Sequence, residues 1–159
     1  MQEKEYLELL IQSLKKKLLL LNRISVLNQD QRAVLQDENA GPDDFDITVR
    51  DKDDLIQQIV ALDAGFDEVY AHIKALMERD HSRYEAQLDE MRELIRQIMA
   101  KDASVRAEEQ RNYKLAQQKF ADVKKQVREV KASQKMVNSY YENMMKQSRY
   151  APQFMDSKK

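Results

Sequence analysis

Apolar residues recur at intervals of three and four over the first third of the chain, with charged residues between them. This spacing places the apolar side chains on one face of an α-helix. The helix is predicted over residues 2–38. It ends where Asn39, Gly41 and Pro42 supply a C-cap and a residue that cannot continue a helix. Its predicted buried positions are Leu7, Leu10, Ile11, Leu14, Leu18, Leu21, Ile24, Leu27, Val34 and Leu35.

The second segment follows a seven-residue repeat, which is typical of coiled-coil packing between neighbouring helices. It predicts a helix over residues 43–78, with Asp43 and Asp44 in the first turn, where the helix dipole favours negative charge. Gly65 lies inside this helix and costs about 1 kcal/mol relative to alanine. Close approach of another helix would compensate that cost, and a kink is the alternative. The predicted seam consists of Phe45, Thr48, Lys52, Leu55, Ile59, Leu62, Phe66, Val69, Ile73 and Leu76.

The repeat resumes at Tyr84, thins around residue 102, and recovers with a shift of one residue at Tyr113. Because no glycine or proline interrupts this part before Pro152, we predict one continuous helix over residues 82–146, about 95 Å long at 1.5 Å per residue. A break near residues 101–104 would give two helices here instead. Three polar residues fall on predicted core positions: Asp102, Glu109 and Asn112.

These patterns predict an all-α fold, a long antiparallel coiled-coil-like bundle of three helices, or four if the last helix breaks. The 159 residues include only two Gly and two Pro, too few turn residues to separate several strands. We expect one bundle domain over residues 1–147 and a C-terminal tail over residues 148–159. In a continuous last helix, the C-terminal third would extend beyond the other two.

The candidate chemistry is sparse. The chain has no Cys, no Gly-rich phosphate loop and no nucleophile context, so we expect no enzyme, no cofactor and no metal site. Glu78 and His81 match the Glu-x-x-His spacing of di-iron bundles. However, His72 has Val69 rather than Glu three residues before it, so we interpret His81 as a solvated turn residue.

Hydropathy and charge favour a soluble cytoplasmic protein without membrane insertion. The N-terminus has no signal-peptide pattern, and the longest apolar run, Leu18–Leu21, is far shorter than the ~20 residues of a membrane span. The net charge of −1 combines eight acidic against two basic residues over Gln36–Ile56 with ten basic against three acidic over Arg111–Arg149. The basic run Lys124–Lys135 could contact nucleic-acid phosphates, but a solvated helix face is the preferred interpretation.

The C-terminal region is unusually rich in Tyr and Met. Adjacent bulky residues at Tyr140, Tyr141, Met144 and Met145 span more than one helix face, and Met suits adaptable binding surfaces. Periodicity leaves a core role and a partner surface equally open. The candidate partner-binding residues are Phe120, Val127, Val130, Val137, Tyr140, Tyr141, Met144, Met145, Tyr150, Phe154 and Met155. An alternative is a self-assembling structural coiled coil, in which a second copy buries the stripe from Phe120 to Met144.

Three motifs together resemble the FlgN-type flagellar export chaperones of Clostridia-like bacteria, which are sometimes described as FliT-like. The first is Tyr-Leu-x-x-Leu-x-x-Ser-Leu-x-x-Lys over Tyr6–Lys17, and the second is Leu-Asp-x-Gly-Phe over Leu62–Phe66. The third is Pro-Gln-Phe-Met-Asp over Pro152–Asp156, followed by two lysines, with Ser157 where a further lysine is common. The resemblance covers most of the chain, and the closing motif is its most specific part.

The resemblance implies a cytoplasmic chaperone of flagellar type III export. Such a chaperone binds the hook–filament junction proteins, also called hook-associated proteins, prevents their premature assembly and delivers them to the export apparatus. It implies no catalysis, nucleotide or metal, and it places cargo contacts toward the C-terminal region. A helical cargo terminus would lay its apolar face on the apolar stripe there. A weak homodimer that cargo displaces is compatible with this function.

Overall fold

The computed structural model of the protein describes residues 3–79, 81–121 and 132–140. The described residues are almost entirely helical and contain no strand. The predicted all-α class is therefore confirmed, and the helices pack against one another as a bundle.

Three long helices form the body of the bundle, with a short 3-10 helix before the third. Their bounds are α1 Glu3–Gln36, α2 Pro42–Arg79 and α3 Glu85–Lys119, and the 3-10 helix covers His81–Tyr84. A further helical stretch covers residues 132–140. The bounds of α1 and α2 lie within two residues of those predicted, because Gly41 and Pro42 separate them as the sequence indicates.

Helix α1 packs along both of the other long helices. Against α2, Lys17 contacts Asp63 and Gln31 contacts Thr48, so these two helices run in opposite directions. Against α3, the contacting residue numbers increase along both helices: Ser25 contacts Glu108, and Val34 contacts Lys119. Helices α1 and α3 therefore run in the same direction. Helices α2 and α3 meet mainly through long side chains, such as Lys52 and Glu109.

Helix α3 is shorter than predicted and ends at Lys119, so the continuous helix over residues 82–146 is a wrong prediction. The chain also does not break near residues 101–104, where α3 is uninterrupted. Instead it turns at residues 120–121. The physical reason is the length of α1: α3 has 35 residues against 34 in α1 and ends level with it.

Contacts between the ends of α1 and α3 hold this turn. The Lys119 ammonium donates to the backbone carbonyls of Val34 and Asp37 at the C-terminus of α1. These carbonyls also accept from the backbone N–H groups of Asp37 and Ala40. The Phe120 ring then packs on Phe45, with ring centroids 5.4 Å apart. The seven-residue repeat cannot predict where α3 ends, because the repeat continues in the same register before and after residues 120–121.

The buried face of each helix is wider than a two-helix seam. In α2, Phe45, Lys52, Ile59, Phe66 and Ile73 are buried as predicted, seven residues apart. Three predicted seam residues are only half-buried, and the next residue along the chain is buried in each case. The half-buried residues are Leu55, Leu62 and Val69, and their buried neighbours are Ile56, Asp63 and Tyr70. A helix that contacts several neighbours buries a broader stripe than the strict two positions per heptad.

Gly65 has neither of the compensations that the sequence suggested. It lies in the uninterrupted α2, it is exposed, and a Cβ atom built on it would meet nothing within 4 Å. We therefore expect Gly65→Ala to raise the free energy of unfolding by about 1 kcal/mol, through helix propensity alone. Urea unfolding followed by circular dichroism measures this gain. An unchanged or lower stability would contradict the open surroundings of Gly65, and Ala64→Gly, at an exposed neighbouring position, should lower stability by a similar amount.

Candidate partner-binding site

The structure buries the three candidate partner-binding residues that it describes. Phe120, Val137 and Tyr140 are 4%, 3% and 2% exposed. Phe120 packs in a small cluster with Leu35 and Phe45, whereas Val137 and Tyr140 join the main core. The other candidates lie outside the described residues: Val127, Val130, Tyr141, Met144, Met145, Tyr150, Phe154 and Met155.

The helical stretch over residues 132–140 contributes to this core from the C-terminal side of the turn. Val137 and Tyr140 share a cluster with residues of α1, α2 and α3. Near its start, Ser133 and Gln134 line a small cavity with Lys52 of α2 and Glu109 of α3. The stretch therefore covers the cleft between α2 and α3, and its outer residues, such as Ser139, are exposed.

The side chains beneath Ser133 and Gln134 form a buried polar layer, which we call the Lys52 layer. It consists of Gln31, Thr48, Lys52, Glu109 and Asn112. The Lys52 ammonium lies 2.8 Å from both carboxylate oxygens of Glu109 and donates to Gln31 Oε1 at 3.1 Å. Gln31 Nε2 donates to the Thr48 hydroxyl at 3.0 Å, and Asn112 Nδ2 donates to Gln31 Oε1 at 3.1 Å. The layer joins α1, α2 and α3 through polar groups and separates the two apolar clusters.

A small cavity and buried polar atoms without a partner lie at the Lys52 layer. In the cavity that Ser133 and Gln134 line, the centre of a water molecule can occupy a volume of about 10 Å³. This is the lower limit for a cavity that holds one water molecule. Among the described residues, the Asn28 side-chain amide and Asn112 Oδ1 reach no hydrogen-bond partner, although both are buried. Buried polar atoms without a partner lower stability. The residues 132–140 thus cover a part of the bundle that contains a small cavity and buried polar atoms without a partner.

A second buried ion pair lies nearer the middle of α1. Lys17 Nζ is 2.8 Å from Asp63 Oδ1, and both side chains are almost fully buried. Burial lowers the pKa of Lys17, while the charges of Asp63, Asp102 and Asp67 oppose that shift. Burial likewise raises the pKa of Asp102, against the opposing charges of Arg106 and Lys17. Between the two ion pairs, Ser25 donates to the buried carboxylate of Glu108 at 2.8 Å.

Sequence reasoning found part of this polar interior. It placed Lys52, Glu109 and Asn112 on core positions, and all three are buried. It missed the polar residues of α1, although the signal was available. The heptad positions of α1 are 7, 10, 14, 17, 21, 24, 28, 31 and 35, and three of them hold Lys17, Asn28 and Gln31.

The described residues provide no metal centre. Within them, no group of three or more His, Cys, Asp or Glu side chains is close enough to hold an ion. The His72 ring instead packs against Tyr6, with ring centroids 4.7 Å apart. In the same part of the chain, no helix has the length and apolar character needed to cross a membrane.

Compared with known proteins, the chain matches no protein-family model, no curated protein and no solved structure. Its function is therefore inferred from its own residues, from the bundle they form and from the resemblance in its motifs.

Proposed function

We propose that this protein is a cytoplasmic chaperone of flagellar type III export and that it does no catalysis. Its cargo would be hook–filament junction proteins, whose helical termini it holds unassembled until it delivers them to the export apparatus. The motif resemblance names this class. The all-helical bundle is compatible with it, since such a fold presents long faces and clefts to a helical partner.

The observation that best supports a C-terminal cargo site is the packing of residues 132–140. Two apolar side chains, Val137 and Tyr140, enter the core, while Ser133 and Gln134 lie over the Lys52 layer and its cavity. This contact combines an apolar anchor with a polar, imperfectly packed layer. Tyr141, Met144 and Met145 follow directly in the sequence and would supply the apolar side chains that a cargo helix contacts.

Truncation tests the proposed cargo site. A chain that ends at Tyr140 keeps all the described residues but lacks the six Tyr, Phe and Met candidates beyond them. We expect it to remain folded and to lose binding to purified hook–filament junction proteins of the same organism at least tenfold, measured by isothermal titration calorimetry. Full cargo binding by this chain would contradict the site, whereas failure of the complete chain to bind any junction protein would contradict the function.

A double substitution tests whether cargo binding is lost through missing apolar contacts or through the shortened chain. Met144→Ser together with Met145→Ser removes two apolar side chains and leaves the chain length unchanged. The matched control is Met99→Ser, because Met99 is 50% exposed on α3, far along the chain from the proposed site. We expect the double variant to weaken cargo binding and the control to leave it unchanged.

A further inference from the structure

An open apolar groove runs between α1 and α2 on the outside of the bundle. Its volume is about 460 Å³, and its apolar side chains are Leu19, Val26, Leu27 and Leu55. Leu19 and Val26 are 49% and 56% exposed although both are large and apolar. They lie seven residues apart and so form a stripe along one face of α1. This groove belongs neither to the core nor to the proposed cargo site.

The two walls of the groove carry opposite charges. Arg23 lies on the α1 wall, and Asp51 and Asp54 lie on the α2 wall. All three are exposed, and none of them makes a salt bridge within the described part of the chain. The groove is thus apolar along its floor, basic on one side and acidic on the other.

Folding increases the acidic character of the α2 wall. Lys52, one of two basic residues in the acidic segment Gln36–Ile56, points into the core and pairs with Glu109. The charge of Lys52 is therefore paired inside the bundle and does not neutralise the aspartates on the outer surface. Asp51 and Asp54 therefore remain exposed on this wall without a salt bridge in the described residues, and the cation of a partner can pair with them.

We propose that a second copy of this chain occupies the groove, with a two-fold axis parallel to the helices. This operation places α1 of one copy on α2 of the other, so each Arg23 faces the Asp51 and Asp54 wall of its partner. The contacts of Lys17 with Asp63 and of Gln31 with Thr48 put Arg23 level with about residue 57 of α2. Asp54 is then about 5 Å away along the helix axis, within reach of the long Arg23 side chain, and Asp51 is about 9 Å away. The two α1–α2 hairpins then form a four-helix arrangement with the groove side chains between them.

Self-complementarity favours a second copy over a foreign helix. A two-fold interface uses the same patch twice, so a patch with both charge signs on opposite walls satisfies itself. A single foreign helix would need a basic flank, an apolar centre and an acidic flank to do the same. Only a few apolar side chains line the groove, so we expect the dimer to bury less than the ~1,200 Å² of a stable interface and to be weak and reversible.

Sedimentation equilibrium of the full chain tests the proposal. We expect the apparent mass to rise with concentration from 18.8 kDa toward twice that value. Arg23→Glu alone, and Asp51→Arg with Asp54→Arg, should each weaken association at least tenfold through like-charge contacts. The three changes in one chain should restore association. Mixing the Arg23→Glu chain with the doubly Arg-substituted chain should also restore it, as a heterodimer.

Two controls make this charge exchange specific. Lys114→Glu reverses an exposed charge on α3 and should leave association unchanged. Val26→Asp places a charge in the apolar floor and should weaken association whatever the ionic strength. Circular dichroism confirms that each variant is folded, which is expected because all the altered residues are exposed.

Three outcomes would overturn the proposal. A chain that stays monomeric at the highest soluble concentration has no second copy in the groove. A dimer that neither charge variant weakens uses another face. A dimer that the charge variants weaken but the combined variant does not restore pairs these walls in some other way.

Discussion

Glu109→Leu is expected to lower the free energy of unfolding by about 3–5 kcal/mol, because it leaves the Lys52 ammonium buried without its counter-charge. Lys52 is 2% exposed, and its remaining contact is Gln31 Oε1 at 3.1 Å. One amide oxygen cannot replace the carboxylate, whose two oxygens both lie 2.8 Å from the ammonium. Urea unfolding at neutral pH measures the loss.

The paired variant gives this prediction its control. Lys52→Met with Glu109→Leu removes both charges and replaces them with apolar side chains of similar volume. Such replacements are often neutral or stabilising by 1–4 kcal/mol. We expect the double variant to recover most of the stability that Glu109→Leu loses. If the single and double variants were equally unstable, the effect would be steric, and the ion pair would not explain it.

Phe120→Ala is expected to cost about 3–5 kcal/mol, the usual range for truncating a buried phenylalanine. Phe120 closes the turn after α3, is 4% exposed, and packs on Phe45 with the ring centroids 5.4 Å apart. Thermal and urea unfolding measure the loss. Met99→Ala, at an exposed position of α3, should change the free energy of unfolding by less than about 0.5 kcal/mol.

Truncating the other ring of the pair tests whether the loss of stability comes from the contact between Phe45 and Phe120. Phe45→Ala should cost a similar amount, and the two losses should not add in the double variant, because both remove the same ring contact. A loss below about 1 kcal/mol for Phe120→Ala would contradict the buried turn. It would favour a helix that continues past Lys119 with Phe120 on its surface.

The buried polar residues constrain how the helices pair rather than how tightly they pack. A shift of α1 by one turn along α2 would separate Lys17 from Asp63, and a shift of α3 along α2 would separate Lys52 from Glu109. Each shift would leave a buried charge unpaired. Apolar heptads alone tolerate such shifts, since each layer resembles the next. Lys17 with Asp63 and Lys52 with Glu109 therefore disfavour the alternative registers of this bundle.

Much of this protein follows from local pattern. The scarcity of Gly and Pro and the three-and-four spacing determine that it is helical, and Gly41 with Pro42 determines where α1 and α2 divide. The same spacing identifies the buried faces, including the polar Lys52, Glu109 and Asn112. These features depend on residues within one or two turns, so the sequence alone is sufficient for them.

Only the tertiary structure decided where α3 stops, which polar residues meet and which apolar residues stay outside. Helix α3 stops at Lys119 and Phe120 because α1 ends and α2 begins beside them, and Lys52 pairs with Glu109, 57 residues away along the chain. Val137 and Tyr140 are buried while Leu19 and Val26 remain exposed, although their residue types suggest no such difference. A periodic pattern states which face of a helix is apolar. Which neighbour covers that face depends on helix lengths and on contacts between distant parts of the chain.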